Sequence, residues 1–453
     1  MPNEHQFGAN CLFFGARRSI YICLHRYSVS QNFLKGGTVM AQGKYAVDYE
    51  ERVNYDRLRK ERLQRAKNQI NKEGIGALIT WDEANIRYLT SYYVTTPMRP
   101  AEVQCVFLPR NGEPILFCGG TPKETERRMP WMNGRVKPSI SMFKVTSSGE
   151  NDITMLLFVD TVKKLMAEHG LSNELLAIDG TTCGMILERA LGKAGVKTAY
   201  GKPIMDRARM IKTADEVELM RITCGNSESA FAAIVDAIRP GIRECDIVGI
   251  GIKALYEEGA DHTEDLVCCS GFNTNPYGWS FTDKPVRPGD LIYIDVDGNS
   301  YQGYKSCVYR TFCCGKATNE QKELYQECYE MLYAGIDQIR HGATDYDIYA
   351  KWPDSPAYWG YDSWEEVSPY ALGHGLGLSL HDMPTIAPLK KAYNMPPITF
   401  EEGMIIAVET YAGHKGGKHG VRLEENVLVT KDGVEILSRW PIKELMECWL
   451  PYN

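Results

Sequence analysis

Pro288-Gly289-Asp290-Leu291-Ile292-Tyr293-Ile294-Asp295-Val296-Asp297 is an apolar run of strand type that carries two carboxylates at its end. Acidic residues are seldom buried without partners, so Asp295 and Asp297 on such a strand point at something positive, and a metal ion is the natural candidate. Further along the chain, Gly373-His374-Gly375, Glu409 at the end of Ile405-Ile406-Ala407-Val408, and Glu424 in Gly420-Val421-Arg422-Leu423-Glu424 add one imidazole and two carboxylates. Carboxylates with a single histidine suit Mn, Fe, Co or Zn rather than copper. Singly, each residue has a plainer reading: His374 as a hydrogen-bonded core histidine, Glu409 as half of a buried ion pair, Asp297-Gly298-Asn299 as the start of a turn. Separate apolar strands that each carry or lead to such a group are better explained by convergence on one site.

These motifs resemble, in order and context, the family of creatinase, prolidase, aminopeptidase P and methionine aminopeptidase. The segment Pro288 to Asp295 resembles the strand of the first aspartate ligand, and Gly303-Tyr304 with Tyr309-Arg310-Thr311-Phe312 the surroundings of the second. Gly373-His374-Gly375-Leu376-Gly377-Leu378 with His381 resembles the histidine-ligand loop and its second, substrate-facing histidine. Glu402-Gly403-Met404 leading to Glu409, then Gly420 to Glu424, resembles the two glutamate strands. Over roughly residues 50–450 the resemblance implies an α/β chain of two domains, a creatinase-like N-terminal domain and a pita-bread catalytic domain. It implies a metal-dependent enzyme with one or two divalent ions (Fe, Zn, Mn or Co), acting on a small molecule as a homodimer.

The departures are as informative. Where the family has its second aspartate this chain has Cys307, a softer ligand that needs deprotonation and tilts the site toward Zn or Fe or toward a single ion. Asp297 stands where the peptidases have glycine and restores a carboxylate. The histidine that peptidases carry after the Asn motif is missing, and Tyr277 occupies its place. The Asp-x-Asp pair and the Thr-Asn-Pro-aromatic segment resemble a branch that includes a lyase of dimethylsulfoniopropionate. That lyase's catalytic aspartate lies in the loop after the histidine ligand, where this chain offers Asp382. The expected metal set is therefore Asp295, Asp297, Cys307, His374, Glu409 and Glu424, with His381 and Asp382 as proton carriers. Tyr277, Trp279, Tyr370 and Arg422 are expected to bind substrate, the aromatic groups by boxing a methylated cation. Elimination from a dimethylsulfoniopropionate-like zwitterion is the first expectation, Xaa-Pro hydrolysis the second, and a non-catalytic binding module the third.

Composition agrees with an enzyme of small molecules. A chain of 453 residues exceeds one comfortable core. A net charge of −7 with both signs interspersed leaves no electrostatic footprint for nucleic acid, and no apolar run has the length to span a membrane. The 14 cysteines are scattered without a Cys-x-x-Cys pair, which points to reduced thiols and a cytoplasmic location. Residues 1–48 stand apart: Arg17, Arg18, Arg26 and Lys35 face a single acid, Glu4, within the first 40 residues. This is read either as a transit peptide or, the preferred reading, as a disordered extension or a stretch before a true start at Met40.

Regular patterning begins near residue 50. Leu58, Leu63, Ala66 and Ile70 predict a helix over 55–71, Gly74 to Thr80 a turn and buried strand, and 103–108 with 114–117 a hairpin turning at Asn111-Gly112. The N-terminal domain is placed at 49–206 and the catalytic domain at 207–453. Near the boundary, Thr213 and Glu216 form a capping-box pattern that starts a helix. A second helix is expected over 319–340 with Cys328 on its apolar stripe. Gly249-Ile250-Gly251 lies in helix-like sequence and is no dinucleotide loop, and His414 to His419 reads as a solvated hairpin tip.

Overall fold

In the computed structural model the described residues are 52–100, 102–140, 151–366, 371–387 and 394–450, so the 1–48 segment and Tyr370 lie outside them. After Asn54, whose side chain accepts the Arg57 N–H, helix α1 (Tyr55–Lys72) buries Leu58, Arg62, Ala66 and Ile70 along one stripe. Then follow β1 (Ala77–Thr80), α2 (Glu83–Thr90), β2 (Cys105–Pro109), β3 (Ile115–Cys118), α3 (Pro122–Arg128), β4 (Val136–Pro138), α4 (Ile153–Glu168), β5 (Leu176–Asp179), α5 (Gly184–Lys193) and β6 (Thr198–Tyr200). The strands form a sheet of order β4-β3-β2-β1-β5-β6. β2 and β3 are the expected antiparallel hairpin, whereas β1, β5 and β6 are parallel, as crossover helices require.

Helix α6 (Lys202–Met210) spans the expected 206/207 boundary and leads into α7 (Ala214–Ala237). The Thr213 hydroxyl accepts the Glu216 N–H at 3.3 Å, and the Glu216 carboxylate accepts the Thr213 N–H at 2.8 Å, so both halves of the capping box are made. The rest of the chain adds α8 (Glu244–Glu257), β7 (Asp265–Ser270), β8 (Leu291–Tyr301), β9 (Tyr304–Cys314), α9 (Asn319–Ile336) and α10 (Asp345–Tyr349). It ends with β10 (Ala371–Gly375), β11 (Asp382–Ile386), β12 (Ile405–Ala412), β13 (Val421–Val429), β14 (Val434–Ile436) and β15 (Met446–Cys448). Two sheets result, β15-β9-β8-β7 and β11-β10-β12-β13-β14. They meet at β9 and β13, where the Arg422 N–H donates to Thr311 Oγ1 at 3.0 Å and the Thr311 hydroxyl donates to the Arg422 carbonyl at 2.8 Å. Helices α7 and α8 pack on the first of these sheets and α9 on the second.

Two local expectations changed. The turn at Asp297-Gly298-Asn299 is a β-bulge within a strand that continues to Tyr301. Gly298 takes φ +72°, and a Cβ there would meet Glu264 at 2.7 Å, so the bulge needs glycine. The reversal comes later, at Gln302 and Gly303, with φ of 52° and 84°. Helix α9 stops at Ile336, short of Arg340, although Cys328 is fully buried on its core face as expected. One apolar cluster extends from Leu58, Leu78 and Leu116 to Tyr304, Cys307 and Ile405, which ties the first sheet to the strands of the carboxylate cluster.

Candidate metal centre

Strand alternation sets the site. Asp295 and Asp297 project from one face of β8, opposite Tyr309 and Cys307 of β9 in register. On the second sheet Glu409 of β12 lies directly opposite Glu424 of β13. β10 runs beside β12 and presents His374. Ligand atoms of Cys307, His374 and Glu424 lie within 4.8 Å of one another, and so do those of Asp295, Asp297 and Cys307. The structure thus brings five of the six expected metal residues into two overlapping groups that share Cys307. Glu409, the sixth, is bound instead to the Arg422 guanidinium.

The donor set fits a cation. His374 shares Nδ1 with the Gly375 carbonyl at 3.0 Å, which fixes the tautomer and leaves Nε2 as the lone-pair nitrogen. That Nε2 is buried and has no partner, and neither has Glu424 Oε1, while Glu424 Oε2 accepts the Tyr309 N–H at 3.0 Å. Burial, with a smaller contribution from His381, pushes the His374 imidazole down to about 4, so it is neutral and competent to ligate at neutral pH. Burial first, then mutual repulsion, holds Asp295 and Glu424 well above the usual carboxylate range, and burial also raises Asp297 and Glu409. Cys307 Sγ lies 3.5 Å from Asp297 Oδ1 and 3.7 Å from Asp295 Oδ1. Burial and the surrounding carboxylates hold that thiol well above its ordinary value. Such a cluster is relieved by a divalent cation, which restores the charged forms of all five groups.

Two glycines make the His374 position. A Cβ at Gly373 would stand 2.6 Å from the Ala407 carbonyl and one at Gly375 2.1 Å from the Met383 carbonyl, so β10 can lie this close to β11 and β12 only without side chains there.

The other expected residues separate. His381 is exposed, with its ring 4.5 Å from that of His374. Asp382 is buried and held by Arg209 at 3.2 and 3.4 Å. Burial alone would raise its carboxyl, but Arg209 and Lys212 outweigh that and hold it below the usual range. A carboxylate engaged in this way is a weaker proton acceptor than a free one. The methylated-cation box is also different. The Arg422 guanidinium lies 3.3 Å from the Tyr309 ring centroid and 4.1 Å from that of Tyr277, so the chain's own cation fills the aromatic site. Trp279 donates to the Tyr277 hydroxyl at 2.7 Å and is 60% exposed above it.

Sequence reading missed the partners of these groups. Arg209, in the last turn of α6, and Lys212, on the connection to α7, carried no signal that they meet Asp382. Tyr309 and Lys305 had one: they alternate with Cys307 on β9 and so share its face. Lys305 is 5% exposed and pairs with Glu264 and, at 3.4 Å, with Glu83 of α2, which also pairs with Arg99.

Two family models match the chain. Residues 62–211 match the creatinase/prolidase N-terminal domain and residues 218–431 match metallopeptidase family M24. Among curated relatives, the Xaa-Pro dipeptidase of Pyrococcus furiosus is 28% identical over 274 residues, covering 59% of this chain and 74% of the relative. The dimethylsulfoniopropionate lyase DddP of Roseovarius nubinhibens is 24% identical over 428 residues, covering 90% of this chain and 91% of the relative. The solved Xaa-Pro dipeptidase of Bacillus anthracis superposes with a TM-score of 0.68 at 23% identity, over 85% of this chain and 99% of that one, which shows a shared fold. The chain thus carries a creatinase/prolidase N-terminal domain over residues 62–211 and a metallopeptidase family M24 domain over residues 218–431, in the two-domain α/β, pita-bread architecture described above.

Proposed function

We propose that this chain is a metal-dependent hydrolase that cleaves an amide bond in a small, carboxylate-bearing molecule of the Xaa-Pro dipeptide type. The observation that carries the reading is the division of labour after β10: His381 stands exposed against His374, whereas Asp382 is bound to Arg209. An amide hydrolysis needs a mobile proton carrier at the mouth of the site, and His381 fits that role. Abstraction of a carbon-bound proton by Asp382, the base expected for a lyase, is disfavoured because that carboxylate is engaged by Arg209. Asp295, Asp297, Cys307, His374 and Glu424 would hold the ion, with Glu409 joining them on release from Arg422. A divalent ion held there supplies Lewis acidity toward a carbonyl or a water molecule. As a water molecule adds to the carbonyl carbon and the C–N bond breaks, His381 would take the proton of that water and deliver it to the departing amine, and Tyr277 and Trp279 cover the Arg422 side of the site.

A second reading, elimination from a sulfonium zwitterion, is favoured by the Asp295-x-Asp297 pair and by the coverage of the lyase relative. In that reaction His381 would take the proton. The two part on a panel of Xaa-Pro dipeptides and dimethylsulfoniopropionate given to metal-loaded protein. Proline release without a deuterium effect is the expected result. Dimethyl sulfide release, slowed by deuterium at the carbon that loses its proton, would overturn the hydrolytic reading. Replacing His381 with Ala should lower turnover by about 10²–10⁴ with bound metal unchanged.

A further inference from the structure

At the carboxyl ends of the parallel strands β5 and β6, beside the first turn of α5, the first sheet holds a cavity of about 400 Å³. Open α/β sheets take their ligands at this end of the strands. None of the described residues lining the cavity belongs to the carboxylate cluster. Asp179, the last residue of β5, lines it and is 3% exposed. Its Oδ2 accepts from the Thr80 hydroxyl at 2.6 Å and from Asn85 Nδ2 at 2.7 Å. Its Oδ1 accepts no hydrogen bond among the described residues. Burial, then the charge of Asp82, raises the Asp179 carboxyl above the usual range. A buried carboxylate oxygen without a donor is costly, and Asn85, itself held by Arg209, keeps the group from turning away.

Glycine opens the crevice. Gly180 takes φ +69°, and a Cβ there would stand 2.3 Å from the Asp82 nitrogen, so the chain leaves β5 with no side chain at this point. At Gly184 a Cβ would meet nothing nearer than Thr181 Cγ2 at 3.9 Å, so the wall is open there as well. Glu188 follows one turn along α5, and the exposed Tyr200 ends β6. The described lining thus holds two acids, Asp179 and Glu188, the hydroxyls of Thr181 and Thr198, the Tyr200 ring, and no basic side chain.

We propose that this cavity binds a small organic ammonium compound, with Asp179 as its counter-ion. An ammonium group brings the donor that Oδ1 lacks and the charge that favours the ionised carboxylate. Glu188 adds a second acid, and Tyr200 offers a ring face to the cation. The volume is that of a small organic molecule and far exceeds the space of a single water or bare ion. The inference does not depend on metal binding by the carboxylate cluster.

The test is titration calorimetry of the full-length protein at low ionic strength with n-butylammonium chloride and with uncharged n-butanol, repeated with and without loaded metal. Wild type is expected to bind butylammonium at least about tenfold more tightly than butanol, the scale of a charge-assisted hydrogen bond. Asp179→Asn keeps an oxygen for Thr80 and Asn85 but turns an amide N–H toward the ligand, and it is expected to remove the preference. Gly184→Leu fills the crevice without removing a carboxylate, and it is expected to weaken butylammonium binding at least about tenfold with an unchanged circular dichroism spectrum. No saturable binding, or equal affinity of wild type for both probes, overturns the inference. So does an affinity for butylammonium that either folded variant leaves unchanged. If Asp179→Asn fails to fold, Gly184→Leu decides alone. Butylammonium binding that disappears when metal is loaded would belong to the carboxylate cluster, and the inference falls while the metal reading stands. Equal binding with and without metal supports the cavity, whatever the fate of the metal-dependent function.

Discussion

At Cys307 a thiol stands in both candidate ligand groups at once, and whether it ionises decides the character of the centre. Without a cation, burial and then the neighbouring carboxylates keep its proton on; a soft or borderline ion would remove it. If Cys307 ligates, Cys307→Ser should lose metal affinity and Cys307→Asp should raise the ratio of ions to chains. X-ray absorption should then show a sulfur scatterer at about 2.3 Å. Unchanged stoichiometry in both variants would return Cys307 to the role of a small core residue. For His374 and Glu424, whose Nε2 and Oε1 have no partners, replacement by Ala should abolish most bound metal, read by elemental analysis of the purified variants. Retention of metal by either variant would remove that residue from the centre.

Among the elements, α7 and the strand pair β10–β11 carry the local interactions that hold the site in place. The Thr213 cap is buried and complete, so Thr213→Ala should cost about 1 kcal/mol in denaturant unfolding. A longer chain of contacts runs from the first sheet to β11. Thr80 and Asn85 donate to Asp179, Asn85 accepts from Arg209, and Arg209 holds Asp382. Because the folded Asp382 carboxyl sits below its unfolded value of about 3.9, its pairing stabilises the fold above that pH and fades as pH falls through the folded value. Asp382→Asn should therefore lower stability near neutral pH by about 3–5 kcal/mol, since it strips Arg209 of a buried partner. The deficit should shrink below about pH 4; a gap that is constant with pH would assign the loss to packing. These contacts also mark what the sequence could and could not tell. The Thr213/Glu216 box, the Ile292–Asp297 strand and the Gly-His-Gly motif are local patterns and were legible. Arg209 with Asp382 and Arg422 with Glu409 are not, because their pairing depends on which strands become neighbours and in what register. The surroundings of Asp382 were hidden for that reason: its loop position was visible and its partner Arg209, far back in the chain, was not.

As a whole molecule, the described residues from Arg52 onward cluster into one compact unit, and one apolar cluster is continuous from α1 to β12. Arg62 of α1 adds a buried polar tie, donating to the Tyr304 hydroxyl at 3.2 Å, while that hydroxyl donates to Glu216 at 2.9 Å. Calorimetry should accordingly show one transition, and a fragment ending near residue 211 should lack native circular dichroism, since Leu58 and Tyr88 lose their packing partners. Two resolved transitions would contradict this coupling. The buried carboxyl cluster gives the same unit a dependence on supply. Its acids are held above the usual carboxylate range, so an ion bound there would favour the folded chain over the unfolded one, and a thousandfold excess over Kd would be worth about 4 kcal/mol. A shift of even 1–2 kcal/mol changes cellular abundance severalfold (about that much in general) through quality-control proteolysis. Metal starvation would then be registered first as a shorter protein lifetime, with the copy number of the chain reporting the cell's metal status before any loss of turnover is felt.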